Sequence, residues 1–213
     1  MYRIVVMPKS ELLEEKWNVY SHALGIVLGV LGLIFLLSET SNATRPEPFF
    51  IYGFSIILLF SASTVYHAVS DPKLKHKLRI LDHISIYYLI AGTYTPVCVY
   101  LLKESRGELL LYLVWGLAIF GTILKLFFTG KFEIFSLVLY GIMGWAVVID
   151  VNYLISNISS NGLFFLGLGG VFYTVGMLFY ALKKIPYNHL IWHFFVLGGA
   201  LCHWWFVYSE FVL

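Results

Sequence analysis

Two histidines four residues apart, His189 and His193, stand at the start of the last apolar run of this chain. On a helix, residues at i and i+4 share a face, so both imidazoles can reach one cation. The zinc-protease pattern places a glutamate directly after the first histidine as general base. Here that position is Leu190, so a base has to come from another helix. His67 and Asp82 could supply what the pair lacks. Three neutral imidazoles plus a water form a common catalytic zinc arrangement, and Asp82 could hydrogen-bond that water or bind the metal directly. Ser63 lies one turn before His67 and could orient a ligand or the water. The same residues have plainer readings. The histidine pair could hydrogen-bond to neighbouring helices, and Asp82 could form an ion pair with Arg79 or a nearby lysine.

The elements that must position these groups are membrane spans. Of 213 residues, 60% are hydrophobic and only 12% are charged, against about 25% charged in soluble domains. A soluble chain of this composition could not cover its surface with polar groups. Seven apolar stretches, each near the roughly 20 residues a span needs, fall at 19–38, 49–70, 82–102, 109–128, 134–154, 162–182 and 187–212. They predict an all-α membrane protein, a seven-transmembrane helix bundle spanning 19–213 after a short cytoplasmic segment at 1–18. Pro46, Pro48, Asp71-Pro72 and Pro186 punctuate the connections. Continuous apolar runs exclude the alternating ten-residue segments of a β-barrel. Glu11, Glu14 and Glu15 ahead of span 1 argue against a signal peptide. The net charge of +2 and the lack of a basic run exclude a nucleic-acid partner. Cys98 and Cys202 lie inside apolar segments and read as buried thiols.

Orientation follows from lysine and arginine placement. The N-terminal segment (Arg3, Lys9, Lys16) and connections 2–3 (Lys73, Lys75, Lys77, Arg79), 4–5 (Lys125, Lys131) and 6–7 (Lys183, Lys184) hold eleven. The opposite flanks hold three: Arg45, Lys103 and Arg106. The bias predicts a cytoplasmic N-terminus and an extracytoplasmic C-terminus. On that topology His22, His67, Asp82, His83, His189 and His193 share one level near the inner face. His203 lies deeper along span 7, His76 is a solvated loop residue of connection 2–3, and Asp150 sits at the outer end of span 5. Gly25, Gly29 and Gly32 lie along one side of span 1 and predict close helix packing.

Taken together, these residues resemble the progestin and adipoQ receptor family, most closely its bacterial hemolysin III-like branch. The resemblance is carried by Ser63-Thr64-Val65-Tyr66-His67, by Asp82, and by His189-x-x-x-His193 with the Gly198-Gly199-Ala200-Leu201-Cys202-His203 stretch. Asn18-Val19-Tyr20-Ser21-His22 and Gly92-Thr93-Tyr94-Thr95-Pro96 also match the bacterial branch. It covers nearly the whole chain. It implies a seven-helix bundle with the N-terminus inside. It also implies a Zn2+ ion toward the cytoplasmic side, held by His67, His189 and His193, with Asp82 meeting it through a water. Eukaryotic members are hormone receptors linked to ceramidase-type hydrolysis, and bacterial members are described as hemolysins or regulators of membrane state. Residues 1–18 are far shorter than the receptors' cytoplasmic domain, so a protein-hormone receptor is not expected.

Two functions compete. The first is a zinc-dependent intramembrane hydrolase of lipid amides or esters, with Asp82 moving the proton, Ser63 in support, and membrane lipids as substrate and partner. The second is a non-enzymatic protein of a bacterial plasma membrane, either a membrane-state sensor or a cytolytic pore former, with zinc as a structural clamp. The absence of a broad polar stripe on any span weighs against a pore.

Overall fold

A computed structural model describes residues 9–39 and 45–212 of the chain. Residues 1–8 of the N-terminal segment, Arg3 among them, lie outside the described residues. Among the described residues, seven helices are long and apolar enough to cross a membrane. They are α1 (Lys9–Glu39), α2 (Glu47–Ala68), α3 (Pro72–Leu101), α4 (Gly107–Phe128), α5 (Glu133–Asn157), α6 (Ser160–Ala181) and α7 (Asn188–Phe211). No strand occurs among the described residues. The seven-span reading therefore holds.

Some helices exceed the apolar runs that announced them. α1 starts ten residues before the run at 19. α3 starts at Pro72, because Asp71 caps it by accepting from the Leu74 amide at 2.8 Å, and a proline suits the first helical turn. Lys73, Lys75, His76, Lys77 and Arg79 are thus helical rather than loop residues, although His76 remains exposed as expected. Lys125, one of the flanking charges by sequence, belongs to the last turn of α4, and it is only 1% exposed.

The core runs through α2 and α3, where Phe49, Tyr52, Phe60 and Tyr87 are fully enclosed. α1 packs on α2 and α7, and α6 packs on α7. Close approach depends on missing side chains. A Cβ on Gly25 would stand 2.5 Å from the Phe60 ring, and one on Gly32 would stand 2.6 Å from the Trp204 indole nitrogen. This bears out the packing face read on span 1. Large apolar side chains such as Phe127 and Ile134 point outward, where a bilayer covers them.

α5 is not continuous. A 3-10 stretch, Ala146–Asp150, separates Glu133–Gly144 from Val151–Asn157. The cause sits on α3. The Tyr94 hydroxyl donates to the Gly144 carbonyl at 2.9 Å and accepts from the Val147 amide at 2.8 Å. Backbone groups freed at membrane depth must find such partners. At the far end of α5, buried Asp150 accepts from Ser105 Oγ and the Arg106 amide, both at 2.9 Å. It closes the end of the bundle opposite the histidines.

Candidate metal centre

α1, α3 and α7 begin, and α2 ends, at one end of the bundle. Chain direction alone therefore brings His22, His67, Asp82, His189 and His193 to a common depth. Helical phase then selects among them. His67, His189 and His193 offer ring nitrogens that all lie within 4.8 Å of one another, a group that could hold a metal ion. Their ring centroids are separated by 4.7 to 5.1 Å. His67 Nε2 and His189 Nε2 are 3.2 Å apart. Tetrahedral ligands with Zn–N of about 2.0–2.1 Å would be about 3.3–3.4 Å apart, so this separation fits two nitrogens sharing one ion.

Hydrogen bonding fits the same use. His67 Nδ1 lies 2.7 Å from Glu15 Oε2, a carboxylate placed to accept an Nδ1 proton, which would leave Nε2 as a donor to metal. Ser21 donates its hydroxyl proton to the Asn18 carbonyl at 3.0 Å, so its oxygen can accept from His193 Nδ1, 3.5 Å away. His22 stacks on His193 with centroids 3.7 Å apart and an interplanar angle of 13°.

Asp82 is buried beside Ser63 and His67 but is not in the metal-binding group. Among the described residues it makes no ion pair; Arg79 turns instead to Glu133 at 2.8 Å. That removes the plain Asp82–Arg79 reading. Ser63 Oγ is buried without a hydrogen-bond partner, as are both ring nitrogens of His22 and Oδ1 of Asn18. Orphaned polar atoms in an apolar interior are costly, and half of those in the described residues are on Asn18, His22 and Ser63.

One neighbour expected at that level goes elsewhere, and His203 lies deeper along α7 as expected. His83 is buried on another face of α3, beside Lys125, Ser136 and Tyr140. His203 lies within hydrogen-bonding distance of the Leu166 carbonyl, 3.2 Å away. Glu15 and His22 are the residues that composition-based reading assigned no role. Their signal was present in the sequence: Glu15, Asn18 and His22 are spaced by three and four and so share one face of α1.

Below the histidines lies an apolar cavity of about 230 Å³ between α3, α5, α6 and α7. Trp192, immediately before His193, lines it, as does His203 eleven residues on, a span of about 16 Å at 1.5 Å per residue.

Residues 10–204 match the family model described as haemolysin-III related. The chain belongs to the haemolysin-III related family. It is 43% identical over 190 residues to the hemolysin-3 homolog of Bacillus subtilis, covering 88% of this chain and 89% of that one. Hemolysin-3 of Bacillus cereus is 41% identical over the same length, covering 88% and 87%. The human monocyte to macrophage differentiation factor is 30% identical over 210 residues, covering 94% and 86%. This haemolysin-III related protein is thus a multi-pass protein of the cell membrane, as its seven spans require.

Proposed function

We propose that this protein is a zinc-dependent intramembrane hydrolase of lipid amides or esters, with its metal centre facing the cytoplasm. The observation that carries the reading is the convergence of His67, His189 and His193, with Asp82 buried beside His67 and outside the ligand set. Three neutral nitrogen donors and a nearby carboxylate that is not a ligand resemble catalytic rather than closed structural zinc sites. The eleven-to-three distribution of basic residues supports the orientation.

The three imidazoles would hold the ion. When bound, zinc supplies a Lewis acid and a water activated near neutral pH. Asp82 accepts the proton from the attacking water on one carboxylate oxygen and returns it to the leaving amine or alcohol. Ser63, buried beside Asp82, orients that carboxylate or the substrate carbonyl. The apolar cavity takes the acyl chain, entered from the bilayer past α5 and α6, and Trp192 forms its wall beside His193.

The test is purification in mild detergent, metal analysis, and assay of a panel of ceramides, N-acyl amides and lysophospholipids with and without a chelator. Chelator-sensitive release of fatty acid is expected, restored by zinc. A fully metal-loaded protein with no turnover on the panel would favour the non-enzymatic reading, in which the ion clamps α2 to α7.

A further inference from the structure

The first turns of α1 contribute nothing to the metal-binding group, yet they reach the supports of every histidine in it. Glu15 Oε2 lies 2.7 Å from His67 Nδ1, while its other oxygen lies 3.2 Å from Lys75 Nζ. Ser21 and His22 face His193. Glu14 Oε1 accepts from the Leu190 amide at 3.4 Å, next to His189. α7 follows Tyr187, which is in the left-handed region at φ 55° and provides no side-chain cap. Glu14 thus stands where a capping residue would, with its charge at the positive end of the helix.

We propose that Glu15 is the positioning residue of the metal centre: its carboxylate holds the Nδ1 proton of His67 and so aims the Nε2 lone pair at the ion. This rests on the metal reading above and extends the centre to a helix that carries none of its ligands. A neutral imidazole has one proton, so the nitrogen that donates leaves the other as the ligand. A carboxylate acceptor also fixes ring orientation and raises the basicity of the ligating nitrogen. The 3.2 Å approach of His67 Nε2 to His189 Nε2 is the geometry that results. Lys75, from α3, pairs with the carboxylate's other oxygen, and its Nζ lies 5.1 Å from the centroid of the Tyr66 ring. The competing role for Glu15 is purely architectural, an ion pair that ties α1 to α3.

The test uses the full chain, purified and loaded with zinc, with affinity measured by competition against a chromogenic chelator. Glu15→Gln and Glu15→Asp are expected to weaken zinc binding about 10–100-fold, the usual cost of losing an outer hydrogen-bond partner, and to shift the absorption bands of the cobalt-substituted protein. Lys75→Met removes the ion pair and leaves the His67 contact, so its affinity should stay near wild type. Nitrogen-15 shifts of His67 in the zinc-loaded wild type should place the proton on Nδ1, a measurement that needs no variant to fold. Ligation of His67 through Nδ1, or unchanged affinity in Glu15→Gln, would overturn the proposal. So would equal losses in Lys75→Met and Glu15→Gln, which would make the pair architectural. A wild type that binds no zinc would defeat the metal reading itself, and this proposal with it.

Discussion

Replacing His193 with alanine should remove the metal without unfolding the bundle. His193 is 2% exposed, and its ring contacts His22, His67 and His189, so the substitution deletes one of three clustered donors. Zinc held by a protein site is worth about 10 kcal/mol at the low end of measured structural sites. Shared over three protein ligands, each accounts for about 3 kcal/mol, and at 1.4 kcal/mol per decade the loss is roughly 200-fold in affinity. Zinc per chain after dialysis, with the dissociation constant from chelator competition, reads this directly. His76→Ala is the control, since His76 is exposed on the first turns of α3 and outside the group. Zinc affinity within about threefold of wild type in His193→Ala would refute the three-histidine reasoning. A matching loss in His76→Ala would show that the metal sits elsewhere.

Asp82→Asn keeps the shape and a hydrogen-bonding group, so zinc should remain while hydrolysis falls about 10²–10⁴-fold, the usual contribution of a positioned acid–base group; unchanged turnover with full zinc would sink the mechanism. Tyr94→Phe strands the Gly144 carbonyl and the Val147 amide, each costing about 1–3 kcal/mol, and thermal melting in detergent should drop by several degrees with zinc content unchanged. Gly167 lines the apolar cavity and has open space where a Cβ would go, so Gly167→Phe should lower kcat/KM for long-chain substrates about tenfold or more relative to short-chain ones; equal loss on both would separate the cavity from the acyl chain. A reporter fused after Leu213 should score as extracytoplasmic, and cysteines placed at 73–79 should label only from inside.

The depth of the site was legible from the sequence, and its phase was not. Alternating span direction by itself puts His22, His67, Asp82, His83, His189 and His193 at one level. Neighbouring residues on a helix differ by about 100°, however, and that rotation carries His83 away to Lys125 and Tyr140 while Asp82 stays beside His67. Two helix starts, those of α1 and α3, lie well ahead of their apolar runs. Apolar runs mark what lies in the hydrocarbon, whereas Asp71-Pro72 starts α3 ten residues earlier through capping chemistry that hydropathy does not register. The interruption of α5 left no local mark, because Trp145, Ala146, Val147, Val148 and Ile149 continue an apolar run. Its cause is a tyrosine about 50 residues away on another helix.

Glu15 shows why the outer layer of such a site escapes a reading by apolar runs. Ahead of a span, a glutamate counts as leader, and three of them count against a signal peptide. The helix nevertheless runs without a break from Lys9 past these glutamates, and three to four residues per turn carry Glu15, Asn18 and His22 down one side of it. That side is turned inward: Asn18 and His22 are 2% and 3% exposed. A polar stripe facing the bundle interior is expensive unless it meets partners there. Glu15 meets His67 and Lys75, Ser21 meets Asn18 and His193, and His22 meets the flat of the His193 ring. The polar contacts of Glu15 and Ser21 on α1 therefore depend on α2, α3 and α7 delivering theirs to the same depth. Loss of either layer should weaken the other, and a double-mutant cycle between Glu15 and His67 on zinc affinity should show strong coupling rather than additive losses.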